Sequence, residues 1–357
     1  MGGRISADQV LSKISSRKAF VSPDYFIDHF IKYPKPYPDL LRDLNRTVSQ
    51  GGGNVLGTTQ YIAKGGNAVN TAVALGRLGV QVALFTKTDA IGLHLLRLFT
   101  KGLPVDLSLV NPNGSASMTA ALEVSDQEGR LSNIMINDSG SLLAISQGDI
   151  TEEVASSIRS SDAICTFNWA QTKEGTEIAR KAFAIAKESS GSLTFIDISD
   201  PSYRVNDIPL LVEQVFKPGL VDILSLNENE LSRLSRSLGM TTPSRSKVLP
   251  PGFLREFSDK LGCIVDYHTS DFSTSVAHGD VVTVPSFRVS PVRMTGAGDT
   301  WNAGDIVGHL AHLATTDRLL LANAAAGFYI SNPQPLCPTL AEAVGFSEGT
   351  PAKEYYQ

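Results

Sequence analysis

The stretch AICTFNWAQTKEGTEIARKAFAIAKESSGSLTFIDI, residues Ala163–Ile198, decides the fold. It begins with AICTF (Ala163–Phe167) and ends with LTFIDI (Leu193–Ile198). Both are short apolar runs of the kind found in strands buried on two faces. Between them, Lys173–Lys187 repeats apolar residues at helical spacing, so the stretch reads as strand, helix, strand. Such a unit joins parallel neighbours, because an antiparallel pair needs only a tight turn. Working outward, the alternation continues downstream through a helix near Ile208–Phe216, a strand Asp222–Leu226 and a helix Asn227–Leu238. Upstream come a helix from Thr151, a strand near Val105–Val110, a helix Leu93–Lys101, a strand Val82–Lys87 and a helix Asn67–Leu78. Repeated units of this kind predict an α/β fold with a mostly parallel central sheet covered by helices on both faces.

Two stretches interrupt the pattern. KAFVSPDYFIDHFI (Lys18–Ile31) predicts an opening strand, and the Gly-, Pro- and Tyr-rich run after it, through Ile62, gives no assignment. In Ser117–Ile136 two short alternating runs flank Asp126-Gln127-Glu128-Gly129, which is a hairpin signal. Together, about Val21–Ile62 and Ser115–Ile136 predict a small β-rich lid on a single domain spanning residues 1–357. Near the C-terminus Cys263–Tyr267, Ser273–Ala277 and Val281–Val284 predict strands, and a turn with a long helix begins at Met294, followed by two further helices.

Composition narrows the function. A hydrophobic fraction of 42% over 357 residues, with no apolar run of membrane-spanning length, predicts a cytoplasmic globular protein. A formal charge of −5 without any dense Lys/Arg block argues against nucleic acid or an anionic membrane as partner. Cys165, Cys263 and Cys337 lie far apart without CxxC spacing, the pattern of buried small hydrophobes. Met1–Ser6 fits the loose myristoylation pattern, which is short enough to arise by chance. Asn45 and Asn113 begin glycosylation triplets with no secretory leader to bring them into use.

The chemistry concentrates in RMTGAGDTWNAGDI, Arg293–Ile306. Gly296 and Gly298 leave the backbone amides of a turn open to close approach, and the helix that follows adds the positive end of its dipole. A phosphate fits there. Asp299 beside that anion repels it, unless the carboxylate takes a proton from an attacking hydroxyl. By itself the turn equally suits a helix capped by Asp299. No GxxxxGK[ST] occurs, and Trp301 stands where the third glycine of a dinucleotide fingerprint belongs, so P-loop and hydride-transfer enzymes are disfavoured.

Thr295-Gly296-Ala297-Gly298-Asp299 resembles the second signature of the ribokinase-like (PfkB-type) carbohydrate kinases, with the small residues Asn302-Ala303-Gly304 following as in that family. Gly65-Gly66-Asn67-Ala68-Val69-Asn70-Thr71-Ala72, continuing to Gly76-Arg77-Leu78-Gly79, resembles the first. The resemblance implies a ribokinase-like three-layer α/β/α fold. It also implies transfer of the terminal phosphate of a Mg²⁺-bound nucleotide, ATP or ADP, to a hydroxyl of a sugar or related polyol. Asp299 is then the base and Gly296, Ala297 and Gly298 form the anion hole. Gly65, Gly66 and Asn70 bind the acceptor, as does Asp28, which is similar to a family aspartate that takes paired hydroxyls. Asp24, four residues earlier, competes with Asp28 for that role. Asn227 and Glu230 match the family's Asn-x-x-Glu element, with Glu230 in the outer shell of Mg²⁺ and Asn227 capping a helix in any case. Asp197 and Asp200, with Pro201 and Arg204, resemble an element near the nucleotide phosphates, where Arg204 is a phosphate contact or a surface cation. Thr295 belongs to the same nucleotide set, and Asn323 resembles a position beside the adenine pocket.

Two departures stand out. Arg293-Met294 replace the Asp or Asn and Thr common in relatives, so Arg293 binds a phosphate already on the substrate or turns to solvent. Asp266-Tyr267-His268-Thr269-Ser270 stands where relatives carry a Thr-x-Gly element facing the nucleotide. These leave open a nucleoside or sugar-phosphate kinase, one using ADP among them, and a sugar or nucleotide sensor without catalysis. An exposed lid sheet also suits pairing into a homodimer.

Overall fold

A computed structural model of the chain describes residues 6–188, 191–243 and 249–354. All of the myristoylation stretch except Ser6 lies outside them. The central sheet has nine strands. From one edge to the other they are Asp280–Pro285, Phe272–Ala277, Ile264–His268, Ile223–Leu226, Leu193–Asp197, Ala163–Phe167, Lys18–Ser22, Gln81–Leu84 and Val105–Asp106. The seven from Ile264–His268 to Val105–Asp106 run parallel, with Ala163 paired to Leu193 and Lys18 to Gln81; Phe272–Ala277 runs antiparallel to both of its neighbours, Ile264–His268 and the edge strand Asp280–Pro285. Helices pack on both faces, each over its own apolar cluster. This is the three-layer architecture that the alternation around Ala163–Ile198 predicts. Cys165, Cys263 and Cys337 are buried and unpaired. Among the described residues no helix is long and apolar enough to cross a membrane.

The expected opening strand is two strands in different sheets. Lys18–Ser22 enters the central sheet, whereas Phe26–Pro36 belongs to a second, four-stranded sheet with Thr59–Gly65, Ser117–Ser125 and Leu131–Asp138. The break falls at Pro23, which has no N–H to continue the first ladder. Two helices outside the sequence reading, Tyr37–Ser49 and Pro251–Leu261, carry proline in their first turn. There the missing N–H costs nothing, since it has no intrahelical acceptor, so proline starts these helices rather than breaking them.

What positions the site is the contact between helices Ala297–Leu310 and Thr315–Ser331. At Gly304 a β-carbon would lie 2.7 Å from the Cα of Ala322, so the backbones touch only because no side chain intervenes. Gly304→Val is expected to destabilise the protein by about 1–3 kcal/mol through overpacking. A urea unfolding midpoint equal to wild type would show that the contact is dispensable.

Candidate active site

The carboxyl ends of the parallel strands meet the second sheet around a cavity of about 380 Å³. Asp197 and His268 at the last positions of their strands, and Asn168 and Asn227 just past theirs, line it, as expected where ligands gather on open α/β sheets. A larger cavity, about 550 Å³, opens at the opposite ends of the strands. Its charges are matched within the chain by the pairs Arg17–Asp162 and Lys187–Asp222.

Helix Ala297–Leu310 starts from Gly296, whose φ of 85° is left-handed and suits glycine. The Ala297 amide donates to the Met294 carbonyl at 3.2 Å, while among the described residues no acceptor takes the amides of Gly298 or Asp299. These two are free to meet an anion at the positive end of the helix. Asp299 follows in the first turn and is buried, 6% exposed. Its two oxygens accept from the side-chain amides of Asn67 (2.8 Å) and Asn70 (2.9 Å). The two asparagines stand three residues apart on the first turn of helix Asn67–Leu78 and so share a face. Gly66, with φ 89°, turns the chain into that helix.

Burial pushes the Asp299 carboxyl up to about 8. The Asn70 hydrogen bond and the Lys64 charge pull it back, while the charges of Asp197 and Asp24 add to the rise. Each carboxylate oxygen keeps a lone pair beyond its asparagine bond, so a hydroxyl in the cavity can still reach it.

From the second sheet, Asp28, Thr119 and Asn137 form a polar row. Asp28 pairs with Thr119 across the parallel strands, and Thr119 pairs with Asn137 across the hairpin. All three line the cavity. Asp28 is raised by burial, with the Thr119 hydrogen bond and the Lys64 charge opposing. Gly65 lies directly behind it: a β-carbon there would sit 2.3 Å from the Asp28 carboxylate.

On the opposite wall, Glu230 accepts from the Asn227 backbone and side-chain nitrogens, both at 2.8 Å, in a capping box. Burial, then the charge of Asp197, raises Glu230 well above the ordinary range. Asp197 is itself raised by burial and accepts from Asn302 (2.7 Å) and the Ser199 amide (2.8 Å). Two buried carboxylates, the charge of Asp197 raising Glu230, are a donor set suited to a hard divalent cation with its waters. Thr295 lines the same space. So does His268, packed against Trp301 with ring centres 4.6 Å apart and planes tilted by 30°, and held neutral by burial, its pKa lowered to about 4.

Five polar residues singled out from sequence, Asp24, Arg204, Asn323, Arg293 and Asp200, are not brought to the cavity. Asp24 accepts from the Asn67 and Ala68 amides at 2.7 Å and from Asn168 at 2.9 Å, which places it under the start of helix Asn67–Leu78. Arg204 donates to the carbonyls of Trp169 (2.8 Å) and Thr172 (2.6 Å) and to Asp207 (2.8 Å). Asn323 accepts from Trp301 and donates to the Pro285 carbonyl. Arg293 donates to main-chain carbonyls in the last turn of helix Thr315–Ser331 and just beyond it. In each case the polar atoms are satisfied by the fold. Asp200 caps a short turn and accepts from Asn229 at 2.8 Å.

Asn168, Thr119 and Asn137 are absent from the sequence reading, while Asn67 and His268 stand in it only within quoted segments, with no role of their own. Asn67 had a visible signal, since it precedes Asn70 by three residues inside the quoted glycine motif.

Residues 39–339 match the family described as pfkB family carbohydrate kinase. The chain belongs to the pfkB family of carbohydrate kinases. It is a sugar or nucleoside kinase, a phosphotransferase. A similar protein is the ribokinase of Bacillus subtilis (strain 168), 27% identical over 294 residues, which cover 79% of this chain and 86% of that protein. In fold the kinase is similar to Arabidopsis thaliana ribokinase complexed with ribose and ATP, with TM-score 0.69, 18% identity and coverage of 93% of this chain and 98% of that one. The adenosine kinase of Sinorhizobium meliloti gives the same TM-score of 0.69, with 18% identity and coverage of 93% and 98%.

Proposed function

We propose that this kinase transfers the terminal phosphate of a nucleotide to a hydroxyl of an uncharged sugar or related polyol, with Asp299 as the base. The observation that carries the reading is the double clamp on Asp299. Asn67 and Asn70 hold both oxygens at the mouth of the anion-binding turn, one residue beyond the free Gly298 amide. The acceptor hydroxyl oxygen attacks the terminal phosphorus as its proton passes to an Asp299 oxygen. The bond from that phosphorus to the nucleotide oxygen breaks, and the electron pair leaves with the shortened nucleotide. The Gly298 and Asp299 amides face the charge that grows on the phosphoryl oxygens.

Support for a polyol comes from the Asp28, Thr119, Asn137 row and from Asn70, which together present carboxylate, hydroxyl and amide groups to the acceptor. None of the residues described as lining the cavity is Lys or Arg, Arg293 is engaged elsewhere, and Lys64, whose charge acts on Asp28 and Asp299, already donates to Asn70 Oδ1 at 2.7 Å, which favours an acceptor without a phosphate. The four-stranded sheet acts as a lid that keeps water, a competing phosphate acceptor, from the transfer. ATP and ADP both fit this chemistry as donor.

Glu230 and Asp197, with Asn227, would hold Mg²⁺ through its waters. Bound there, the metal would supply positive charge against the phosphate groups. Chelation by EDTA is expected to abolish transfer, and Glu230→Gln to raise the Mg²⁺ concentration needed for half-maximal rate by about 10-fold. An unchanged Mg²⁺ requirement in Glu230→Gln would remove Glu230 from the assignment. The defining experiment offers sugars, sugar phosphates and nucleosides with ATP and ADP separately. Transfer confined to phosphorylated acceptors, or to none, would overturn the reading.

A further inference from the structure

Arg293 stands three residues before Gly296 and faces away from the cavity. Its guanidinium donates to the carbonyls of Tyr329 (2.8 Å), Pro333 (2.8 Å) and Gln334 (3.1 Å), and also to that of Asn332. These oxygens converge because helix Thr315–Ser331 ends there, where its last carbonyls lack intrahelical donors and the dipole is negative. The guanidinium also lies 5.5 Å from the centre of the Tyr329 ring. That ring rests against Gly296: a β-carbon on Gly296 would sit 2.8 Å from the Tyr329 hydroxyl oxygen and 3.2 Å from two ring carbons. The Gly296 carbonyl in turn accepts from the Thr300 amide (3.1 Å) and hydroxyl (2.9 Å), which fixes the first turn of the helix bearing Asp299. Guanidinium, ring and glycine turn form one continuous stack.

We propose that Arg293 is a positioning residue for phosphoryl transfer. It acts as a tethered cation that gathers the carbonyls of residues 329–334, seats Tyr329 on Gly296 and so fixes the direction of the Gly298 and Asp299 amides. This rests on the kinase reading above. Donors aimed at developing charge work because they are fixed before the reaction, and a displacement of about 1 Å costs on the order of 100-fold in rate. Lysine is a poor substitute, since its three donors on a flexible stem do not reproduce the planar five-donor fork.

Arg293→Ala and Arg293→Lys test this. In Arg293→Ala, kcat is expected to fall about 10–100-fold, with KM for nucleotide and acceptor within about two-fold of wild type. Free guanidinium at about 10 mM, far below its denaturing range, is expected to restore several-fold of the lost rate, and equal NaCl none. Arg293→Lys keeps a cation at the site and falls between the two. Unchanged kcat would overturn the proposal. So would a loss carried by acceptor KM, or one that ignores guanidinium and follows melting temperature in both variants. Amide hydrogen exchange at residues 297–300 reads the same claim without turnover, accelerating in Arg293→Ala and slowing with added guanidinium. If wild type phosphorylates nothing, the kinase reading fails, while the exchange result still decides the role of Arg293.

Discussion

Asp299→Asn is expected to fold, to bind nucleotide and to lose turnover by about 10²–10⁴-fold, the span that a positioned base contributes. The substitution preserves shape, so the Gly298 and Asp299 amides remain in place, while the partner facing the new NH2 must turn its own amide to present oxygen. What it removes is the only change of charge that lets the side chain take a proton. Near-normal turnover in the variant would remove Asp299 from its role. The same substitution carries a pH signature. With the carboxyl raised from 3.8 to about 8, the folded protein holds its proton more tightly than the unfolded chain. That contribution to stability is fully present below 3.8 and is lost as pH rises to about 8. Asparagine does not titrate, so the melting temperature of wild type should fall relative to Asp299→Asn between about pH 5 and about pH 8. A difference that stays constant over that interval would show that Asp299 is not held protonated by burial. In the ligand-free enzyme the base is the ionised form, so kcat/KM should rise with pH toward the same value of about 8.

Gly65→Ala should leave the fold and the nucleotide site intact and raise the acceptor KM by about 10–100-fold, the equivalent of one or two hydrogen bonds to a charged group. Gly65 is not a left-handed glycine, so alanine meets no backbone strain and the effect is steric alone. Its new methyl would lie 2.3 Å from all three atoms of the Asp28 carboxylate, which must turn out of the row it shares with Thr119 and Asn137. Calorimetric titration with an acceptor found by the substrate panel measures the loss directly. An unchanged affinity would mean that Asp28 does not touch the acceptor, and the polar row would then serve only to join the strands of the four-stranded sheet.

The division between what was legible and what was not follows the range of the forces involved. The strand, helix, strand reading of Ala163–Ile198 holds because buried strands and amphipathic helices declare themselves over a few residues. The hairpin at Asp126–Gly129 and the helix start at Gly296 are equally local. Proline misled in both directions. At Pro23 it divides one apparent strand between two sheets, and in the first turns of Tyr37–Ser49 and Pro251–Leu261 it opens helices.

The polar residues were harder, because a side chain's partner is set by the fold. Arg204, Arg293, Asp24 and Asn323 stood open in the sequence between a ligand contact and another role, and all are held by groups of the chain itself. The clamp on Asp299 joins residues 232 and 229 positions apart, so no local pattern could reveal that Asn67 shares it with Asn70. The sequence by itself determined the layered α/β frame and the glycine turn with its acid, since both depend on backbone propensity and short-range spacing. Only the tertiary structure decided which carboxylates reach the cavity and which cations are already engaged. Burial and hydrogen-bond pairing are properties of surfaces brought together from distant parts of the chain.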